Sequence, residues 1–258
     1  VRKPEDSALV DLSSLPSTSL AGKIARYPLK LLPRGMVVPI LQGPLKGKKW
    51  IVGSQRHAFW LGSYEPHLQK LIAREVEQSG EFYDIGANVG FYSLLASTLI
   101  KDGQVFAFEP LPANVGYLRR HLELNGIRNV QVLEVAISDR VGTSFFQEEE
   151  TGAMGRLEAG GNRRVATDTL DSLIRTQQLA PPRYIKMDIE GEELKALLGA
   201  RACFERYKPK LFLATHGKEV HEECCRLLQS WSFEVRLIGS PGEDRAEILA
   251  RSRSEIFC

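Results

Sequence analysis

From residue 81 onward the chain alternates between short apolar runs and stretches in which apolar residues recur every three or four positions. The runs "EFYDIG", "QVFAFEP" and "VQVLEVAIS" read as strands, and "VGFYSLLASTLI" and "NVGYLRRHLELNG" between them carry the helical period. Strand, helix, strand, helix, strand with short connections predicts a parallel sheet covered by helices. The pattern then loosens. "TSFFQ" predicts an extra strand, "ETGAMGRLEAGGNRR" a glycine-rich loop, and "ATDTLDSLIRTQQL" a helix opened by a Thr or Asp cap. "RYIKMDIEG" predicts a strand ending in acids, "EELKALLGA" a helix, "PKLFLATHG" a strand and "EVHEECCRLLQSW" a helix, with "FEVRLIG" and "AEILARS" as a closing antiparallel pair.

Ahead of this series, Met36 to Leu41 and Lys48 to Gly53 predict a small hairpin across a Gly-Pro and Gly-Lys turn region. Leu68, Leu71, Ile72 and Val76 predict an amphipathic helix stopped by Gly80. Residues 1–34 show little periodicity and are interrupted by Pro28 and Pro33. The expected organisation is therefore an extension over 1–34, a hairpin and helix over 35–80, and one α/β domain over 81–258.

Composition narrows the function classes. In 258 residues, 34 Lys and Arg nearly cancel 32 Asp and Glu, so no field is built to hold a nucleic-acid backbone, and no nucleic-acid partner is expected. Cys203, Cys224, Cys225 and Cys258 lack metal or redox spacing and read as reduced thiols. No window approaches a bilayer-spanning length, so no membrane association is expected and the expected location is cytoplasmic. The Leu-rich N-terminal arm leaves an oligomer open.

Chemistry enters with "YDIGANVG" at the end of the first strand of the series, where the ligand crevice of a doubly wound sheet opens. Gly86 suits a positive-φ turn and close ligand approach, and Gly90 suits close helix packing. The spacing is not GxGxxG, because Asn88 stands at the second glycine and Gly90 comes one residue early. Asp84 would repel a phosphate and attract an ammonium or sulfonium. Glu109, 25 residues on, ends the next strand where a carboxylate accepts hydrogen bonds from two ribose hydroxyls. Acid, glycine turn and second acid together describe a site for S-adenosylmethionine. The competing reading is that the glycines serve the βα turn and the acids are strand-end caps.

The stretches "FYDIGANVGFYSLLA", "GQVFAFEPLPANVGYLRRHLELN", "NVQVLEVAISDRVGTSFF", "TLDSL" and "IKMDIEGEELKALLGA" together resemble the FkbM family of methyltransferases, from about Gly62 to His216. The resemblance implies a class I methyltransferase fold, Rossmann-like, with a mostly parallel seven-stranded sheet and a C-terminal antiparallel hairpin. It further implies S-adenosylmethionine as cofactor and methyl transfer mainly to oxygen, often a hydroxyl of a sugar or secondary metabolite. Under it, Asp84, Gly86, Asn88 and Gly90 bracket the methionine part and Glu109 holds the ribose. Ala136, Ser138 and Asp139 line the adenine, although Asp139 reads equally as the first residue of the turn "SDRVG".

Methyl transfer from a sulfonium needs the acceptor aligned and deprotonated. Among Lys186, Asp188, Glu190, Glu192 and Glu193 of "IKMDIEGEE", Asp188 and Glu190 lie at the predicted strand end, and His216 ends the next strand. His216 is the natural base. Alternatively Asp188, Glu190 and His216 hold one divalent metal, Mg or Mn, that acidifies the acceptor. Glu190 has a competing reading as a charge at a helix N-terminus, and His216 as a histidine bonded to backbone. This chain has Thr215 where family members often carry an acid before the histidine. His57, His67, His121 and His221 fall on predicted polar faces or turns. The glycine-rich segment after Phe146 is expected to act as an acceptor lid, and Tyr64 or Glu65 to reach the cofactor or simply to form a helix-opening turn. Rival functions are a nucleic-acid methyltransferase, which the absence of a (D/N)PP(Y/F) turn disfavours, a nicotinamide-dependent oxidoreductase, and a non-catalytic binding protein.

Overall fold

The computed structural model describes residues 32–148, 155–157, 161, 163–176, 179–239, 242 and 245–253. The described residues form two units divided between Pro66 and His67. In the first, β1 (Val37–Pro39) pairs antiparallel with β2 (Lys49–Ile51), each strand shorter than its apolar run. Buried Trp50 stacks on Phe59 of α1 (Ala58–Leu61), a helical turn the sequence reading lacked, and the Tyr64 ring stacks on the Phe59 ring at 4.0 Å. Gly62 ends α1 at a φ of 77°, and a Cβ there would lie 2.2 Å from the Gln42 carbonyl oxygen.

α2 (Pro66–Glu75) leads into the second unit and ends five residues before Gly80. Its last residue, Glu75, receives Lys210 Nζ at 3.1 Å and an ion pair from Arg251, which ties the helix end to two strands of the large sheet. The division between the units falls at the start of this helix, after its first residue.

Then β3 (Glu81–Ile85), α3 (Phe91–Leu99), β4 (Val105–Phe108), α4 (Pro112–Leu124) and β5 (Val130–Leu133) follow the expected alternation. The run "VQVLEVAIS" is divided. Val135 donates its N–H to the Leu133 carbonyl, a tight bend that sends Ala136–Ile137 (β6) into a different sheet. That second sheet has the order β6-β9-β7-β8, with β7 (Gly142–Glu148), β8 (Gly155–Leu157) and β9 (Arg163–Asp168). The glycine-rich region is thus partly strand, not a single loop; residues 149–154, 158–160 and 162 of the expected lid lie outside the described residues.

α5 (Leu170–Thr176) starts after Thr169, whose hydroxyl accepts the Ser172 N–H at 3.0 Å. β10 (Pro182–Met187), α6 (Glu193–Leu198), α7 (Arg201–Tyr207), β11 (Lys210–His216), α8 (Lys218–Ser230), β12 (Phe233–Leu237) and β13 (Arg245–Ser252) complete the chain. The large sheet runs β12-β13-β11-β10-β3-β4-β5, with β13 alone antiparallel, inserted between β11 and β12. This is the class I methyltransferase fold. Strand order reverses between β3 and β10, so their carboxyl ends flank the crevice. The strands β3, β4 and β10 are buried over nearly their whole length, as a sheet covered on both faces requires.

Candidate active site

The turn after β3 is built around close backbone approach. Gly86 has φ 77°, and a Cβ on it would lie 2.0 Å from the Asp188 carbonyl oxygen. Its missing side chain therefore makes room for the neighbouring strand end as well as permitting the turn. A Cβ on Gly90 would meet Leu118 of α4 at 2.8 Å, so Gly90 serves packing between helices. Asn88 takes a left-handed φ of 50°, which Asn tolerates better than most residues. Its side-chain oxygen accepts the Val89 N–H at 2.8 Å, and its own N–H donates to Glu109 Oε2 at 2.8 Å.

Glu109, at the end of β4, is a buried junction. Oε1 accepts the Leu111 N–H at 2.9 Å and the Asn114 side-chain amide at 3.2 Å, while Oε2 accepts Asn88. Three of its roughly four acceptor places are filled. These bonds leave one of the roughly four places, on Oε2. Burial pushes the carboxyl up to about 6, against the three hydrogen bonds that favour its charged form.

Asp84 is fully buried. Ser93 Oγ donates to its Oδ2 at 2.6 Å, and Oδ1 has no hydrogen-bond partner, facing Lys186 Nζ at 3.8 Å. Burial raises its pKa, with Lys186 and Ser93 opposing. Asp188 lies just past β10; Lys186 is 3.9 Å away and Arg245 donates to Asp188 Oδ2 at 3.1 Å. Burial works to raise the Asp188 pKa, but the fields of Lys186, Arg245 and His216 outweigh it and hold the group below its ordinary value.

His216, at the end of β11, lies beside both acids: Nε2 is 3.6 Å from Asp188 Oδ1 and 3.4 Å from Glu190 Oε2, and Nδ1 is 2.9 Å from Glu193 Oε1. Burial disfavours the imidazolium, yet the Glu193 hydrogen bond and the three carboxylates raise its pKa above the usual value. Glu190 occupies a strained φ of 55°, and burial raises its pKa despite His216. The donor atoms of Asp188, Glu190 and His216 lie within 4.8 Å of one another, which brings the three expected residues together.

Ala136, Ser138 and Asp139 belong to the second sheet's edge. The Ser138 N–H is taken by the Asp168 carbonyl at 2.9 Å, and its hydroxyl donates to Asp139 Oδ1 at 3.3 Å. Sequence reasoning missed Ser93, Asn114 and Arg245. It also placed His121 on a polar face, whereas His121 is fully buried on α4 with Nδ1 2.8 Å from the Val89 carbonyl, its pKa lowered by burial to about 4. The signal was present, since His121 continues the spacing of Val115 and Leu118.

A model of the family described as "Methyltransferase FkbM domain" matches residues 84–235. The chain is 28% identical over 137 residues to hexuronic acid methyltransferase AglP of Haloferax volcanii, covering 52% of this chain and 56% of that protein. It is 28% identical over 151 residues to methyltransferase sdnD of Sordaria araneosa, covering 45% of this chain and 58% of that one. The chain thus spans a little over half the length of the curated relatives it matches. In fold it is similar to a crystal structure of ribosomal protein L11 methylase from Lactobacillus delbrueckii subsp. bulgaricus, with a TM-score of 0.50 and 13% identity over 73% of this chain and 78% of that one.

Proposed function

From the premise that the chain belongs to the FkbM methyltransferase family, we propose that it transfers a methyl group from S-adenosylmethionine to a hydroxyl oxygen of a saccharide or similar small acceptor. The observation that carries this reading is the convergence of His216, Asp188 and Glu190 at the carboxyl ends of β10 and β11, beside the turn of Asp84 and Gly86 at the switch point. AglP, named for a hexuronic acid, supports a saccharide acceptor.

The residues present suit the cofactor. Asp84 offers a buried oxygen without a hydrogen-bond partner at the strand end, and Glu109 keeps one acceptor place. When bound, S-adenosylmethionine supplies an already activated methyl group, which leaves alignment and deprotonation to the protein. Glu109 accepts a ribose hydroxyl, and Asp84 favours positive charge near the methionine part. His216 takes the acceptor's proton at Nε2, and the carboxylates around it stabilise the imidazolium that forms. Asp188, kept ionised by Lys186 and Arg245, fixes the negative side of that pair.

A second reading has Asp188, Glu190 and His216 holding Mg or Mn, and the 4.8 Å cluster favours it. Lys186 and Arg245, at 3.9 and 3.1 Å from Asp188, already bring positive charge to the same carboxylate, which favours the base reading. The test is calorimetric titration with S-adenosylhomocysteine and with NADH, followed by transfer of labelled methyl to a panel of neutral and acidic saccharides. Saturable binding of the first ligand alone, with label in an alkali-stable methyl ether, supports the proposal. Binding of NADH alone, or label in an alkali-labile ester, contradicts it.

A further inference from the structure

We infer that Glu193 is the positioning residue that fixes which ring nitrogen of His216 faces the acceptor. The inference deepens the proposed role of His216 and rests on it for its functional meaning, but its structural content stands on hydrogen-bond directions alone. Glu193 opens α6, is fully buried, and turns its carboxylate back toward the β10–α6 turn. Oε1 accepts the Gly191 N–H at 3.0 Å and the Ile189 N–H at 3.3 Å. Backbone N–H groups only donate, so Oε1 is the acceptor in both bonds, and Oε2 has no partner of its own.

The third neighbour of Oε1 is His216 Nδ1 at 2.9 Å, and it must therefore donate as well. Nδ1 carries the hydrogen, and the neutral ring is left with its lone pair on Nε2. That nitrogen is the one 3.4 Å from Glu190 and 3.6 Å from Asp188. The same oxygen spans the turn on both sides of Glu190, whose left-handed φ needs support from its surroundings. A single atom of Glu193 thus joins the end of β11 to the turn that presents Glu190. The arrangement is equally required if Nε2 takes a proton and if it binds a metal, because either use needs the Nε2 lone pair.

The experiment is long-range ¹H–¹⁵N NMR of the full chain with labelled histidine, at a pH where the ring is neutral. The His216 signal is assigned by its disappearance in His216→Asn. The wild type is expected to show His216 with hydrogen on Nδ1. Glu193→Met, which removes both oxygens at similar length, is expected to move hydrogen to Nε2, and Glu193→Gln, which keeps an amide oxygen for the three donors, to restore the Nδ1–H signature. Hydrogen on Nε2 in the wild type overturns the assignment, and this decides the matter even if Glu193→Met does not fold. An unchanged Nδ1–H signature in a folded Glu193→Met protein overturns it too. S-adenosylhomocysteine titrations on the same samples separate the two claims: absence of binding with the Nδ1–H signature intact removes the methyl-transfer reading and sustains the Glu193 assignment, whereas binding with hydrogen on Nε2 removes the assignment alone.

Discussion

The carboxyl edge of the large sheet has two halves built on opposite principles. At the ends of β3 and β4, Glu109 is tied to three donors and Asp84 to Ser93, and burial drives both carboxyls upward. At the ends of β10 and β11, Asp188, Glu190 and His216 meet at 3.4–3.6 Å, and neighbouring charge sets the direction in which Asp188 and His216 titrate, while burial raises Glu190. The first half is a frame whose geometry is held by bonds to the backbone. The second is a set of charges that changes balance when one proton moves, as a base and its surroundings must.

The largest effect that would break this division is on turnover. His216→Asn is expected to slow methyl transfer roughly 10²- to 10⁴-fold, the range for loss of a general base, and labelled-methyl transfer at saturating cofactor measures it. An undiminished rate would remove His216 from the chemistry. Next in size, Gly86→Ala forces a Cβ to 2.0 Å from the Asp188 carbonyl at positive φ. Adding about 1–2 kcal/mol for the left-handed backbone to about 1–3 for overpacking gives a loss of roughly 2–5 kcal/mol, read by chemical denaturation.

A smaller, pH-dependent effect sharpens the contrast. Glu109 has a folded pKa of about 6 against an ordinary 4.5. The shift is upward, so its favourable contribution is present below the unfolded value and is lost as pH rises through the folded one. Relative to Glu109→Gln, which stays neutral, the wild type is expected to lose about 2 kcal/mol in all as pH rises from well below 4.5 to well above 6, more than half of it inside that window. A flat difference across that window would mean that Glu109 ionises freely. The smallest effect concerns metal: dialysis against a chelator is expected to leave turnover unchanged, and loss restored by Mg or Mn would transfer the chemistry to the second reading.

The strand ends of both halves were legible in the sequence, while the partners of their acids, Ser93, Asn114 and Arg245, were not. "FYDIG" and "VFAFEP" announce their strands because a doubly covered sheet needs unbroken apolar runs, and Asp84 and Glu109 follow from position at the strand ends. Asn88 was read as a cofactor contact; its N–H bonds Glu109 and its side-chain oxygen accepts the Val89 N–H, a role in the turn that the sequence did not announce. Asp188, Glu190 and His216 were found because adjacent parallel strands bring their ends together. Arg245 was not, since it reaches Asp188 from 57 residues away through the antiparallel insertion of β13, which no local pattern specifies. The second sheet was hidden for a related reason: β8 and β9 carry few apolar residues and form by pairing with β7, and β9 also with β6 beyond the bend at Val135. No helix among the described residues is long and apolar enough to cross a membrane.

The division between frame and charges is tested most directly by calorimetric titration of S-adenosylhomocysteine into the wild type, Glu109→Ala and His216→Asn. The account predicts saturable binding to the wild type and to His216→Asn with similar affinity, and binding weakened at least about tenfold in Glu109→Ala, the equivalent of one hydrogen bond to a charged group. Equal affinity in Glu109→Ala, or binding lost in His216→Asn, would contradict it.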